Sequence, residues 1–232
     1  SLLSQAYIDS QRNRISRNKV AAVSGERYSV NTPSNALTPG SPNEFDDGMT
    51  THFTIADRDG NVVTITQTLG GAFGSGVSVG ETGIFLNNMC YWFDLEEHSP
   101  NLIQPRKRVD LIVAPTQTLK DGKFYLSMGT PGSYGILQTT PQFITNVLDF
   151  GMNPQEAIEA PRFKCTVDRT VEMEERFPIH VRQALEDLGH NVNVIEPWSM
   201  SVGGAQGIKI DSDSGVLQGG ADPRRGGAAI GW

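Results

Sequence analysis

Thr50-Thr51-His52-Phe53-Thr54-Ile55-Ala56 and Val62-Val63-Thr64-Ile65-Thr66-Gln67-Thr68-Leu69 flank the turn-forming run Asp57-Arg58-Asp59-Gly60-Asn61. β-Branched residues dominate both arms, so the stretch reads as a β-hairpin. Centring it on Asp59 pairs Ala56 with Val62, Thr54 with Thr64, His52 with Thr66 and Thr50 with Thr68. Alternation along a strand then sets a cluster of hydroxyls around His52 on one face. The other face carries Phe53, Ile55, Val63, Ile65 and Leu69.

Just upstream lie Gly40-Ser41-Pro42-Asn43-Glu44-Phe45-Asp46-Asp47-Gly48 and Met49, nearly all turn formers and carboxylates. A threonine heading a strand, with a second threonine hydroxyl opposite and an exposed peptide before it, suits an N-terminal nucleophile made by self-cleavage. Threonine also simply favours strands, and the hairpin alone leaves both readings open. Residues 17–49 are rich in Ser, Asn, Pro and Gly, too long a stretch for an ordinary connector. Such slack lets the Met49–Thr50 peptide take an attackable geometry; a plain disordered linker has the same composition.

The chain has 232 residues, 38% hydrophobic, with 25 glycines and 13 prolines, which fits a turn-rich layered α/β structure better than a helical bundle. A net charge of −7 with no Lys/Arg stripe argues against nucleic acid. No apolar run is long enough for a membrane span. The chain starts at Ser1 without a charged-then-apolar leader, so a targeting signal is expected to lie upstream or to have been removed. The compartment, cytoplasmic or periplasmic, is not decided. Cys90 and Cys165 match no metal or redox spacing and are expected as buried thiols. The four histidines stand apart, so no zinc site is expected, and no cofactor is implied.

Leu2 to Ile15 repeats apolar residues at helical spacing before the basic Arg12 and Arg14. Leu111–Leu119 and Phe124–Met128 bracket Lys120-Asp121-Gly122-Lys123 as a second hairpin. Gly135 to Phe150 reads as a helix stopped at Gly151, with Pro141 near its first turns. Asn153 caps a short helix that has proline at its first position, Pro154 to Glu159. Pro178 to Leu188 is an amphipathic helix ended by Gly189, and Asn191 to Ile195 a short strand. Gly207–Ile210 and Gly215–Gln218 form a last hairpin around Asp211-Ser212-Asp213-Ser214. Strands, a block of helices, then strands suit an α/β (α+β) sheet sandwich faced by helices.

Further motifs occur in order: Thr50-Thr51-His52-Phe53, Asp59-Gly60-Asn61, Thr68, Phe73-Gly74-Ser75-Gly76, Gly80-Glu81-Thr82-Gly83-Ile84-Phe85-Leu86-Asn87-Asn88, Lys107-Arg108, Ala114-Pro115-Thr116, Gly129-Thr130-Pro131-Gly132, Ala160-Pro161-Arg162-Phe163 and Ala221-Asp222-Pro223-Arg224. Over roughly residues 50–225 this set resembles the small subunit of the γ-glutamyltransferase family of N-terminal nucleophile (Ntn) hydrolases. The resemblance implies an αββα sandwich, incomplete here without the large subunit. Residues 1–49 are then the tail of the large subunit with the cleavage loop, and 50–232 the small-subunit region. It also implies a partner, the rest of the large subunit, and a small-molecule amide or γ-glutamyl substrate.

A threonine hydroxyl needs a base beside it. Once Thr50 is N-terminal its own α-amine, with a reference pKa of about 7.7–8.0, takes the hydroxyl proton, and Thr68 Oγ holds and polarises the nucleophile. His52 can be read as a base, but in an alternating strand it better fits an orienting or packing role. Gly129-Thr130-Pro131-Gly132-Ser133 follows an apolar strand and precedes a helix, so the amides of Gly132 and Ser133 can point into a cleft. In the resembling family the matching pair, usually two glycines, forms the oxyanion hole; an ordinary Pro-Gly turn has the same sequence.

Substrate recognition departs from the family pattern. Polar side chains that hold a glutamyl α-amino group follow the Asn-Asn pair there; here Met89 and Trp92 stand at those positions. The adjacent serines for the α-carboxylate align with Leu111 and Ile112, and the usual asparagine two residues after Thr68 is Gly70. An amino-acid zwitterion against these side chains loses its charge partners, at a cost on the order of several kcal/mol, unless Asp94 or Asp110 compensates. The pocket resembles the acylase-like and amidohydrolase-like branch. The resemblance also puts the arginine that grips the substrate carboxylate in the missing subunit.

Two other classes compete. Gly76-Val77-Ser78-Val79-Gly80 matches the G-x-S-x-G elbow of serine esterases, with His180 and His190 in plausible order for a triad. That elbow needs a strand before it and a helix after it, and Glu81-Thr82-Gly83 is helix-poor. The chain is otherwise an inactive or structural half of a heterodimer.

Overall fold

The computed structural model describes residues 3–19, 50–109, 111–166 and 170–232. The expected cleavage loop, Met49 included, and Asp110 therefore lie outside the described residues. Helix α1 (Gln5–Arg12) starts at Ser4, whose hydroxyl accepts the Tyr7 N–H, and it buries none of its residues.

The first hairpin is β1 (Thr50–Ala56) and β2 (Val62–Thr68), paired in the register that the alternation requires, from Thr50 opposite Thr68 to Ala56 opposite Val62. Asp57 closes the turn by accepting the N–H of Asp59 and of Asn61 at 2.9 Å each. A second hairpin joins β3 (Thr116–Lys120) to β4 (Lys123–Gly129) through Asp121 and Gly122, both at positive φ, as a tight primed turn demands. The expected strand from Leu111 is shorter: residues 111–115 are irregular and the ladder begins at Thr116.

Helix α2 (Ile136–Leu148) follows a 3₁₀ turn at Ser133–Gly135. Pro141 sits inside it and deprives the Leu137 carbonyl of its usual donor. Helix α3 (Pro154–Glu159) carries a full capping box: Asn153 Oδ1 accepts the Glu156 N–H and Glu156 Oε2 accepts the Asn153 N–H. Strands β5 (Phe163–Cys165) and β6 (Thr170–Glu174) were not expected; β6 runs through α4 (Ile179–Asp187) to a parallel neighbour, β7 (Asn191–Ile195). The chain ends with β8 (Gln206–Ile210) and β9 (Leu217–Ala221).

These strands make a four-stranded antiparallel sheet in the order β3-β4-β8-β9, a three-stranded sheet β5-β6-β7 and the separate β1-β2 hairpin. β4 shows the layering. Leu126 and Met128 join Phe143, Val147, Ala157, Ile158 and Ala205 in a core under α2 and α3. Ser127 and Gly129, on the opposite face, meet the hydroxyl side of β1: Ser127 Oγ lies 3.2 Å from Thr54 Oγ1, and the His52 ring covers Gly129. The order is helices, sheet, hairpin. The hairpin's apolar face is turned outward, with Ile55 57% exposed and Val63 49%.

A buried ionic cluster joins two of the sequence motifs. The Arg162 guanidinium pairs with Asp222 and also donates to the Val202 and Ile158 carbonyls. Arg224 grips Glu174 through two nitrogens, at 2.7 and 2.6 Å. Glu174 in turn accepts the backbone N–H of Arg162, and Asp222 that of Ala205. Desolvation lowers Arg162 to about 10 against the opposing pull of Asp222. Ala160-Pro161-Arg162-Phe163 and Ala221-Asp222-Pro223-Arg224 are therefore two halves of one staple. The two cysteines correct an expectation: both are exposed, because Cys90 lies on a surface 3₁₀ turn and Cys165 ends a three-residue edge strand.

Candidate active site

The hairpin register sets the side chains of Thr50 and Thr68 face to face. Thr50 Oγ1 donates to Thr68 Oγ1 at 2.9 Å. Thr68 Oγ1 also accepts the Gly70 N–H at 3.0 Å, which fixes its rotamer from the other side. The chain turns sharply there, with Gly70 at φ +86° and Asn88 Oδ1 only 2.1 Å from where a Cβ would stand. That same oxygen accepts the Gly71 N–H, and the Asn88 N–H donates to the Leu69 carbonyl. Asn88 is thus a holder of the bend that sequence reasoning quoted but gave no task; its signal was the pairing of two asparagines with a double glycine.

Next to Thr54, His52 is 3% exposed, with Nδ1 2.7 Å from Thr66 Oγ1 and Nε2 3.4 Å from the hydroxyls of Thr54 and Thr64. Burial lowers its pKa to about 4, so it is neutral at physiological pH. It points into the sheet interface, and among the described residues its hydrogen-bond partners are Thr54, Thr64 and Thr66 rather than Thr50.

The loop after β4 supplies backbone amides. Gly132 has φ +138° and Ser133 φ +50°. Left-handed φ at both positions explains why glycine suits them, and Ser133 bears some strain. Among the described residues neither N–H donates to a protein acceptor. The loop is held from behind: Thr130 Oγ1 donates to the Pro131 carbonyl and accepts the Gly204 N–H. A Cβ on Gly203 would sit 2.3 Å from Thr130 Oγ1, so the Val202-Gly203-Gly204 run is a second support that the sequence left unassigned.

Thr50, Thr68, Gly70, Met89, Trp92, Leu111, Ile112 and Ser133 line one cleft, completed by Tyr91, Val113 and Ile136. Gly132 precedes Ser133 in the chain and is not itself among the lining residues. Part of the wall is aromatic: Trp92 lies 5.2 Å from Tyr134 and 5.7 Å from Tyr91, ring centre to ring centre. Among the described residues no Asp, Glu, Lys or Arg lines it. Asp94 is elsewhere, its carboxylate accepting from Ser99 and its backbone bonded to Asn101 and Ile103. Ser78 sits in an exposed turn bridged to Phe85, and Gly80–Gly83 after it is turn rather than helix, which removes the geometry a nucleophile elbow needs.

A family model described as Gamma-glutamyltranspeptidase matches residues 1–232. The chain is 41% identical over 189 residues to the glutathione hydrolase-like YwrD proenzyme of Bacillus subtilis, covering 78% of this chain and 35% of that protein. Its fold aligns with a cephalosporin acylase from Bacillus halodurans at TM-score 0.80 and 32% identity, over all of this chain and 39% of that one. It aligns with a gamma-glutamyltranspeptidase of Helicobacter pylori at TM-score 0.67 and 31% identity, over 75% of this chain and 99% of that one. The chain spans about a third of the length of the curated relatives it matches, at 35%, 32% and 38%.

Proposed function

The chain belongs to the gamma-glutamyltranspeptidase family, and we propose that it carries the catalytic half of an amide hydrolase or acyltransferase whose nucleophile is Thr50. The observation that carries this reading is the 2.9 Å contact of Thr50 with Thr68 in a cleft that also holds Ser133. Cleavage of the Met49–Thr50 bond frees the Thr50 α-amine. That amine takes the hydroxyl proton as Oγ1 attacks the amide carbon. The Gly132 and Ser133 N–H groups receive the developing oxyanion. The C–N bond then breaks, the leaving amine takes the proton from the ammonium, and an acyl ester on Thr50 remains for water or an acceptor amine to attack.

Residues 1–49 are read as the end of the large subunit, and the remainder of the longer protein as the cover over the outward apolar face of β1-β2. Relatives are named proenzymes, in keeping with a chain that is cut after synthesis.

The cleft favours acyl groups without a charged α-carbon. Met89, Trp92, Leu111 and Ile112 give an α-amino and an α-carboxylate no partner, whereas a methylene chain loses nothing there. The substrate class is therefore simple acyl or dicarboxylic monoamides, hydrolysed rather than transferred to dipeptides; the likeness to a cephalosporin acylase supports the same branch. The test is kcat/KM for glutaryl and γ-glutamyl anilides on the processed full-length enzyme. Preference for the glutaryl compound is expected. A tenfold or larger preference for the γ-glutamyl compound overturns this assignment of the pocket.

A further inference from the structure

We infer that His52 is a positioning residue that sets the nucleophile pair against the Gly132–Ser133 amides through its fit on Gly129, an inference that rests on the reading of Thr50 as nucleophile. Three contacts converge on this ring. On its own hairpin Nδ1 holds Thr66 at 2.7 Å, two residues before Thr68 on the same face, and His52 itself is two residues after Thr50. Nε2 lies 3.4 Å from Thr54 and Thr64, so both arms are gripped by one rigid side chain. Across the sheet interface, the ring lies so close over Gly129 that a Cβ there would meet Cε1 at 2.2 Å and Nδ1 at 2.4 Å.

Gly129 is the last residue of β4, and the chain from it runs directly through Thr130 and Pro131 to Gly132 and Ser133. The His52–Gly129 contact is thus a spacer between the strand bearing Thr50 and the strand leading to the amides. A smaller side chain at 52 lets the two approach, and a larger one at 129 drives them apart. Either change moves the attacking oxygen relative to its oxyanion donors, a displacement to which rate is far more sensitive than binding. The neighbouring Thr54–Ser127 contact at 3.2 Å ties the same interface but is farther along β1 from Thr50.

The ring's own partners are the hydroxyls of Thr54, Thr64 and Thr66 and the backbone of Gly129, and none of these carries a charge. The imidazole therefore acts by shape and hydrogen bonding, not as a proton carrier.

The test uses the processed full-length enzyme with His52→Gln, His52→Leu and Gly129→Ala, and reads kcat and KM separately. Gln keeps a polar atom for Thr66 whereas Leu fills the space without one. Positioning predicts kcat down about tenfold in His52→Gln and about a hundredfold in His52→Leu and Gly129→Ala, with KM within about threefold. Thr66→Val, which removes the hydroxyl at similar volume, should lower kcat likewise and serves if the His52 variants fail to fold. The inference is overturned if His52→Leu or Thr66→Val is cut and folded with kcat within twofold of the parent, or if Leu outperforms Gln. A Thr50→Ala control separates the two claims: turnover that survives it sinks the nucleophile reading, whatever the His52 variants do.

Discussion

Thr50 and Thr68 meet at the first pair of the β1-β2 ladder, their hydroxyl oxygens 2.9 Å apart, with the Gly70 N–H on the far side of Thr68. Thr68 thus presents a fixed oxygen to the Thr50 hydroxyl. Thr68→Val keeps the volume and removes that oxygen, and kcat of the processed enzyme should fall about a hundredfold with KM little changed. Thr68→Ser should retain most of kcat. Equal losses in the two variants would show that the hydroxyl is not what matters.

Trp92 lines the same cleft, and its Nε1 is buried without a partner among the described residues. On the proposed reading of the cleft, Trp92→Asp adds a carboxylate that can pair with an α-ammonium group. The ratio of γ-glutamyl to glutaryl kcat/KM should rise tenfold or more, read with paired anilide substrates. An unchanged ratio would mean that the acyl group lies away from Trp92.

His52 makes acid stability a direct readout of its burial. Its pKa is lowered from the usual 6.5 to about 4 in the folded chain, by desolvation. The unfolded chain therefore binds the proton first as pH falls. The neutral imidazole's contribution is whole above about pH 6.5 and is lost progressively as pH drops toward 4. The full loss is roughly 3 kcal/mol, at 1.36 kcal/mol per unit. His52→Gln should flatten the urea-midpoint profile between pH 6.5 and 4; a profile unchanged by the substitution would place the acid sensitivity elsewhere.

Asp222 is fully buried against Arg162, so its loss strands a buried guanidinium. Asp222→Ala should cost about 3–5 kcal/mol in urea unfolding. A change below 1 kcal/mol would mean that the guanidinium finds other partners at no cost.

The sequence was most legible where local chemistry and alternation agree. Both arms of β1-β2 are β-branched around one turn, so its full register could be written from residue types alone. The Asn153 capping box and the Gly189 stop were equally local. β5 was missed because a strand of three residues, Phe163–Cys165, carries too short a pattern, and β6, its antiparallel partner, was missed with it. The ionic staple was invisible for another reason: its members are far apart in the chain, and nothing local says that Arg162 meets Asp222. The cleft gathers most of the residues named from the sequence; Asn88 and Gly129 stand in the quoted motifs, but their tasks behind it, and the part played by Gly203, show only in their close approaches in space.

The most direct test of the account is the mass of the full-length gene product after expression, with and without Thr50→Ala. Two fragments are expected from the parent protein, one ending at Met49 and one beginning at Thr50, and a single uncut, inactive chain from Thr50→Ala. A parent protein that hydrolyses amides while remaining one uncut chain would contradict it.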